Sequence, residues 1–419
     1  MTVGLVLAAL AVLVFLVANL RAGQKSIEHE IEHLYGVEDP AFARSMSVLL
    51  GPALVGGNRV TSLYNGDQIF PAMLEALGSA RRTITFETYI YWSGSIGRAF
   101  ADALIDRARS GVRVHVILDW VGSGKMDREI IAAMTAAGVQ IIKYHRPRWY
   151  TLGRLNNRTH RKLLVVDGVV GFTGGVGIAD LWEGHAQDPE HWRDSHFKLE
   201  GPAVAQMQAA FMDNWIEERA ELLHGDEYFP AIEPRGTQVA QLFKSATSEA
   251  SESVRLMYLL SVAAATRTVR LANAYFVPDD LSVTTLVSAA RRGVRIEIIV
   301  PGRHTDTALV RRASRSRWGP LLEAGISIYE FQPTMYHVKV MVVDEIWSSV
   351  GSTNFDSRSF RLNDEANLNI LDREFAAVEI EAFERDKARS RQLTLEAWHR
   401  RPVAERIVEW LAGLLRVQL

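Results

Sequence analysis

Two histidine–lysine pairs carry the chemistry this chain offers. The first lies in His160-Arg161-Lys162-Leu163-Leu164-Val165-Val166-Asp167. The second is His337-Val338-Lys339-Val340-Met341-Val342-Val343-Asp344. Each reads His-x-Lys, an apolar run, then Asp. A small-residue turn follows each Asp: Gly174-Gly175-Val176-Gly177 and Gly351-Ser352-Thr353-Asn354. Average composition gives one such motif by chance in about a few per cent of chains this long, and two in roughly one in a thousand. His and Lys two apart point to the same face of a strand. The apolar residues after them read as a strand buried on both faces.

Two such pairs brought together suit phosphodiester exchange. A phosphodiester is anionic and resists nucleophiles. Two lysines neutralise its non-bridging oxygens, and that stabilisation grows as charge develops in the transition state. One imidazole attacks phosphorus and splits one hard displacement into two easier ones. The other protonates the leaving alkoxide, then deprotonates the incoming alcohol or water. The lysines supply the positive charge, so neither a metal nor a cofactor is expected.

A reacting imidazole also needs a carboxylate on its other nitrogen. Asp194 and Glu365 are the candidates, each on a strand-like segment about thirty residues beyond a motif histidine. Asp167 and Asp344 begin turns after buried strands, so their expected role is to cap backbone groups and hold the motif's shape. Ser352 and Asn354 are candidate donors to phosphate. Arg303, His304, Arg311, Arg312, Arg315 and Arg317 form a basic run after the strand ending at Val300. It reads either as a solvated face or as a headgroup-capturing patch at the end of a strand.

The elements that must position these residues also repeat. Arg82–Tyr91, Gly111–Leu118 and Gly138–Ile142 read as strands with helices between them, and the first motif follows. Arg267–Phe276, Gly293–Val300 and Gly325–Tyr329 repeat the order before His337. This is an internal duplication well beyond a shared motif. Strand–helix–strand alternation predicts an α/β fold, a mainly parallel mixed sheet flanked by helices, with the halves related by a pseudo-two-fold axis. The expected division is a transmembrane anchor over 1–22, a linker helix over 23–58, α/β domains over 59–244 and 245–392, and an amphipathic helix over 393–419. Ser245–Ser253 is the expected join.

Composition bounds the rest. The chain has 419 residues, 48% apolar and 23% charged, with formal net charge -2 and no cysteine. Cysteine nucleophiles, disulfides and thiolate metal sites are excluded, and a nucleic-acid partner is not expected. Val3–Leu20 is nearly all apolar and long enough to span a bilayer. Arg21 and Lys25 follow it, so the bulk of the chain is expected on the cytoplasmic side of the cell membrane. Near the C-terminus, Ile407, Trp410, Leu411, Leu414 and Leu415 form an apolar stripe on a helix. Docking on its own domain and lying in the membrane interface both suit that stripe.

The paired motifs resemble the phospholipase D superfamily, and the wider pattern resembles its bacterial cardiolipin synthase branch. The segments carrying the closer likeness are Phe86-Glu87-Thr88-Tyr89-Ile90, Phe172-Thr173-Gly174-Gly175, Trp192-Arg193-Asp194, Tyr275-Phe276-Val277-Pro278 and Val350–Ser359. The resemblance implies two phospholipase D-like domains sharing one active site. It implies phospholipid substrates at a membrane, two phosphatidylglycerols giving cardiolipin and glycerol. His160, Lys162, Asp167, His337, Lys339 and Asp344 then form the catalytic set, with His160 the nucleophile. Asp194, Glu365, Ser352, Asn354, Gly175 and Glu87 support it. Two departures stand out. Gly177 occupies a position that is usually Asn in the family, and one N-terminal span is present where the branch commonly has two. A phospholipase D or other phosphodiesterase using water or another alcohol fits the same site. A non-catalytic lipid-binding protein fits less well, because both motifs keep His, Lys and Asp.

Overall fold

The structure, a computed structural model, describes residues 27–146, 156–245 and 252–414. The first half contributes β1 (Val55–Tyr64), β2 (Thr83–Thr88), β3 (Arg113–Asp119), β4 (Gln140–Tyr144), β5 (Arg158–Thr159), β6 (Leu163–Val166), β7 (Val170–Gly174) and β8 (Ser195–Glu200). The remaining strands are β9 (Gln238–Ser245), β10 (Thr268–Asn273), β11 (Phe276–Val277), β12 (Arg295–Pro301), β13 (Ser327–Phe331), β14 (Lys339–Val343), β15 (Trp347–Gly351), β16 (Phe355–Asp356), β17 (Asn363–Leu371) and β18 (Ser390–Leu393).

Strand order runs β4-β3-β2-β6-β7-β8-β1 and, in the same sense, β13-β12-β10-β14-β15-β17-β9. The two runs are hydrogen-bonded to each other through β1 and β9. By position β9 is the counterpart of β1. β5 pairs with β17, and β18 adds to the outer edge of β13.

The expected mainly parallel sheet is corrected here to a mixed, mostly antiparallel one. Only β2-β3-β4 and β10-β12-β13 run parallel in the main sheet's two outer parts. They are joined by crossover helices such as Ser95–Arg109 and Asp280–Arg291, whose length permits a parallel return. After each motif the connections shorten. Asp167-Gly168-Val169 alone links β6 to β7, and Asp344-Glu345-Ile346 links β14 to β15. A link that short closes only an antiparallel hairpin.

The buried motif strands feed different cores from their two faces. Leu163 and Val165 of β6 join a central cluster that also holds Val340 and Val342 of β14. Leu164 and Val166 face the first half's own core. Met341 and Val343 face the second half's. The period-two alternation explains why a strand with a uniformly apolar sequence sits in one register: every side chain has a core to fill.

Residues 27–39 contain no helix, and the helix in the expected linker covers Pro40–Leu50, capped by the Asp39 carboxylate on the Ala41 amide. No helix among the described residues is long and apolar enough to cross a membrane. The run Val3–Leu20 lies outside the described residues, as does most of the expected join at Ser245–Ser253. The C-terminal region is a helix over Leu395–His399 and a second over Val403–Leu414.

Candidate active site

Each motif histidine lies just before its strand and is fixed by backbone pairing to the other half. Arg158 and Thr159 run parallel to Asn363 and Asp364, and the His160 amide donates to the Asp364 carbonyl at 2.9 Å. In the other copy Arg193 bridges Tyr336, and the His337 amide donates to the Arg193 carbonyl at 2.8 Å. The residue after each carbonyl is the carboxylate. That register sets the side chains. His160 Nδ1 lies 3.0 Å from both Glu365 oxygens, and His337 Nδ1 lies 2.7 Å from Asp194 Oδ2.

The two carboxylates are therefore those the sequence singles out, but they cross over. A carboxylate about thirty residues downstream reads as a partner for its own half's histidine. Instead Glu365 of the second half serves His160, and Asp194 of the first serves His337. Both imidazoles present Nε2 away from their carboxylate.

The lysines lie beside the histidines. Lys162 Nζ donates to the His160 carbonyl at 2.7 Å, and Lys339 Nζ to the His337 carbonyl at 2.5 Å. Lys339 Nζ also lies 3.1–3.2 Å from the His337 ring nitrogens. All four side chains are buried, which disfavours charge. Burial pushes His160 down to about 4 against the pull of Glu365. It pushes Lys162 down to about 7 and Lys339 to about 8. His337 is also lowered, by burial and then by the Lys339 charge, with Asp194 opposing. Burial raises Asp194 and Glu365, but the facing histidines and lysines outweigh it and keep both carboxyls low. Burial thus favours the neutral forms of the imidazoles and lysines, while the facing cations favour ionised carboxyls.

Asp167 and Asp344 sit on the far ends of the motif strands, as caps. Asp167 accepts from the amides of Arg81, Arg82 and Thr83 at 2.7–2.9 Å. Asp344 accepts from the Thr266, Arg267 and Thr268 amides and the Thr266 hydroxyl at 2.7–2.8 Å. Both are in the left-handed region, with φ of 52° and 50°. Asp tolerates that conformation better than most residues.

The supporting residues divide by what they touch. Ser352 donates its hydroxyl to Glu365 Oε2 at 2.5 Å, so the hydroxyl serves the carboxylate. Gly175 is its counterpart: a Cβ there would lie 2.2 Å from Asp194 Oδ1, so only glycine leaves the carboxylate in place. The Asn354 side-chain oxygen is buried and has no hydrogen-bond partner among the described residues. At Gly177 a Cβ would lie 2.8 Å from Ile90 Cβ and 3.2 Å from Trp182 Cζ3. The space an asparagine would need is filled. Glu87 reaches neither histidine. It accepts from Asn214 at 2.6 Å and from the hydroxyl of Thr159, the residue before His160. Burial pushes its carboxyl up to about 7, against the nearby Arg161.

Three kinds of residue had no role assigned from the sequence. Arg161, the middle residue of the first motif, is buried and donates to the carbonyls of Ala210 and Ser245. Trp182 donates its indole N–H to Asp194 at 3.0 Å and packs its ring 5.5 Å from His337, beside Trp192. Tyr89 stands 5.3 Å from the His160 ring and Tyr275 6.4 Å from that of His337. Half of the basic run, in contrast, is engaged elsewhere. Arg311 and Arg315 pair with buried Glu330, and Arg317 with Asp280. A patch reading needs free guanidinium groups, and these three are committed to the fold.

Known proteins share both the domain and the whole arrangement. The family described as "Cardiolipin synthase, PLD-like domain" matches residues 73–182 and 259–387, one match around each motif. Cardiolipin synthase 1 of Bacillus anthracis is 34% identical over 377 residues, covering 87% of this chain and 73% of that protein. The cardiolipin synthase of Geobacillus kaustophilus is 35% identical over 356 residues, covering 84% and 71%. Among solved structures, the phosphatidylserine synthase of Haemophilus influenzae superposes with a TM-score of 0.66 over 90% of this chain and all of its own. At 12% identity that likeness concerns the fold. Two matched domains on one chain, and similarity along most of its length, place the protein in the cardiolipin synthase family of phospholipase D-like proteins.

Proposed function

We propose that the protein is a membrane-bound phosphatidyltransferase of cardiolipin synthase type. It condenses two phosphatidylglycerols to cardiolipin and glycerol. The observation that carries the reading is the pair of crossed histidine–carboxylate contacts flanked by two buried lysines. Relatives named cardiolipin synthase support the choice of substrate.

In the proposed mechanism His160 Nε2, neutral and held by Glu365, attacks phosphorus of the first phosphatidylglycerol. The bond from phosphorus to the headgroup glycerol breaks. His337, protonated, gives its proton to the departing glycerol oxygen. A phosphatidyl group is then bonded to His160. The second lipid brings a headgroup hydroxyl. His337 takes its proton, the oxygen attacks phosphorus, and the bond to His160 breaks. Lys162 and Lys339 hold the non-bridging oxygens throughout, and an anionic phosphate beside them favours their charged forms. Asp194 and Glu365 orient the rings and stabilise imidazolium when it forms. The run Val3–Leu20 anchors the chain in the cell membrane with both halves on the cytoplasmic side.

The test is product analysis. Purified full-length protein incubated with phosphatidylglycerol vesicles, without added metal, is expected to give equal amounts of cardiolipin and glycerol. Phosphatidic acid as the only lipid product overturns the transferase in favour of a hydrolase. His160→Ala and His337→Ala are each expected to abolish turnover with the fold intact.

A further inference from the structure

The helix Val403–Leu414 is docked the wrong way round for an ordinary surface helix. Such a helix turns its apolar stripe inward. Here Val403, Ile407, Trp410, Leu411 and Leu414 face outward, with Val403 67%, Trp410 62% and Leu414 60% exposed. At 100° per residue these five share one side. The opposite side, Glu405, Glu409, Ala412 and Gly413, meets the protein. Glu409 is 3% exposed; it pairs with Arg315 Nε at 2.6 Å and with Arg401. Glu405 pairs with the same Arg315 at 2.9 Å, and Arg315 also reaches Glu330. Buried ion pairs recover little net energy once desolvation is counted. Holding the helix through them, with five large apolar side chains left in water, makes sense only when something apolar covers those side chains.

We infer that this face seats in the bilayer that supplies the phospholipid substrate, and that it sets the mouth of the site at the membrane surface. The inference rests on the phospholipid reading above. Position favours lipid as the occupant. Ala412 packs in one apolar cluster with Val277, Val310 and Ala313, against Tyr275. Tyr275 is the residue 6.4 Å from His337. The inner side of the helix thus packs on a cluster that reaches Tyr275, beside His337. Charge agrees with position. Arg406 on the helix and Arg312 on the helix it packs against are both exposed and suit anionic headgroups. A tryptophan on an outward apolar face is suited to the interface itself.

The chain has no cysteine, so a single one can be introduced and labelled in the full-length protein. Leu411→Cys and Ile407→Cys carry an environment-sensitive fluorophore, and Glu381→Cys, on an exposed helix elsewhere, is the control. In proteoliposomes containing phosphatidylglycerol, acyl-chain nitroxide lipids are expected to quench positions 407 and 411 at least about fivefold more than 381. Equal quenching at all three positions overturns the proposal. So does a label at 411 shielded from both lipid and water, which means a second copy or another segment of the chain covers the face. Kinetics give an independent readout. Ile407→Ser/Leu411→Ser is expected to lower turnover of vesicle phosphatidylglycerol about tenfold or more while turnover of a monomeric short-chain analogue stays unchanged. Equal loss on both substrates refutes a seating role. If the unaltered protein makes no cardiolipin at all, the functional reading fails while the quenching result stands by itself.

Discussion

Replacing Asp344 by alanine separates a structural carboxylate from a catalytic one. Asp344 accepts four hydrogen bonds from the segment entering β10, and its turn fixes the end of the strand that begins at Lys339. The Thr268 amide is buried, and losing its acceptor costs about 2 kcal/mol. The other three donors are part-buried and recover water, at roughly 0.5–1 kcal/mol each. Alanine in the left-handed region adds about 1 kcal/mol. The total is about 5 kcal/mol. Asp167 is the internal control. Two of its three amide donors are exposed and only that of Thr83 is part-buried, so its loss costs about 3 kcal/mol with the same conformational term. Urea unfolding of both variants, followed by tryptophan fluorescence, measures the difference. Asp344→Asn keeps one acceptor oxygen and tolerates the positive φ, so it is expected to lose about half as much stability. At a temperature where it is folded, its kcat is expected to stay within about threefold of the parent. A loss of more than about a hundredfold in folded Asp344→Asn would show that the carboxylate takes part in the reaction, and the cap argument would fail.

Asp194→Asn is expected to lower kcat about 10²- to 10⁴-fold and to depress the His337 pKa further while leaving His160 unmoved, read by side-chain nitrogen NMR of histidine. Glu365→Gln should do the reverse, moving His160 alone; a response in the same half as the substituted carboxylate refutes the crossed pairing. In the proposed mechanism the free enzyme needs neutral His160 and protonated His337, so kcat/KM should fall as pH drops through about 4 and fall again on an alkaline limb set by His337, whose pKa burial and the Lys339 charge lower. Bound phosphate favours the charged forms of His337 and the lysines, so the alkaline limb of kcat should lie higher; coincident limbs for kcat and kcat/KM would contradict this. Introducing an asparagine with Gly177→Asn is expected to cost about 1–3 kcal/mol, because Ile90 and Trp182 already occupy the space, and Ile90→Ala should recover part of it. A stable, faster Gly177→Asn enzyme would show that the space is not closed.

Local features were readable in the chain, and long-range register was not. The motif strands, the helices before them and the capping role of Asp167 and Asp344 depend on neighbours a few residues away or on the duplicated order. The antiparallel character had a local sign as well: Asp167-Gly168 is a tight-turn dipeptide, and it points to a hairpin more strongly than the preceding alternation points to a parallel sheet. The crossing of the carboxylates had none. His160 meets Glu365 across 205 residues and His337 meets Asp194 across 143, through backbone pairings that no periodicity encodes. The same holds for Arg315. A cation in a basic run reads as a solvated or anion-binding group, yet here it is buried among Glu330, Glu405 and Glu409. The C-terminal stripe was legible as apolar, but its outward direction depends on those buried ion pairs.

The crossing has a consequence for the chain as it is made. The ribosome delivers His160, Lys162 and Asp194 long before Glu365, so the early segment cannot supply the carboxylate that His160 meets. His337, when it emerges, finds Asp194 waiting, but the other ring still lacks its partner. A nascent or prematurely ended chain that stops short of Glu365 therefore lacks a competent reaction centre, even though its first half carries a full motif. The two histidine–carboxylate contacts are complete only once residue 365 has been made.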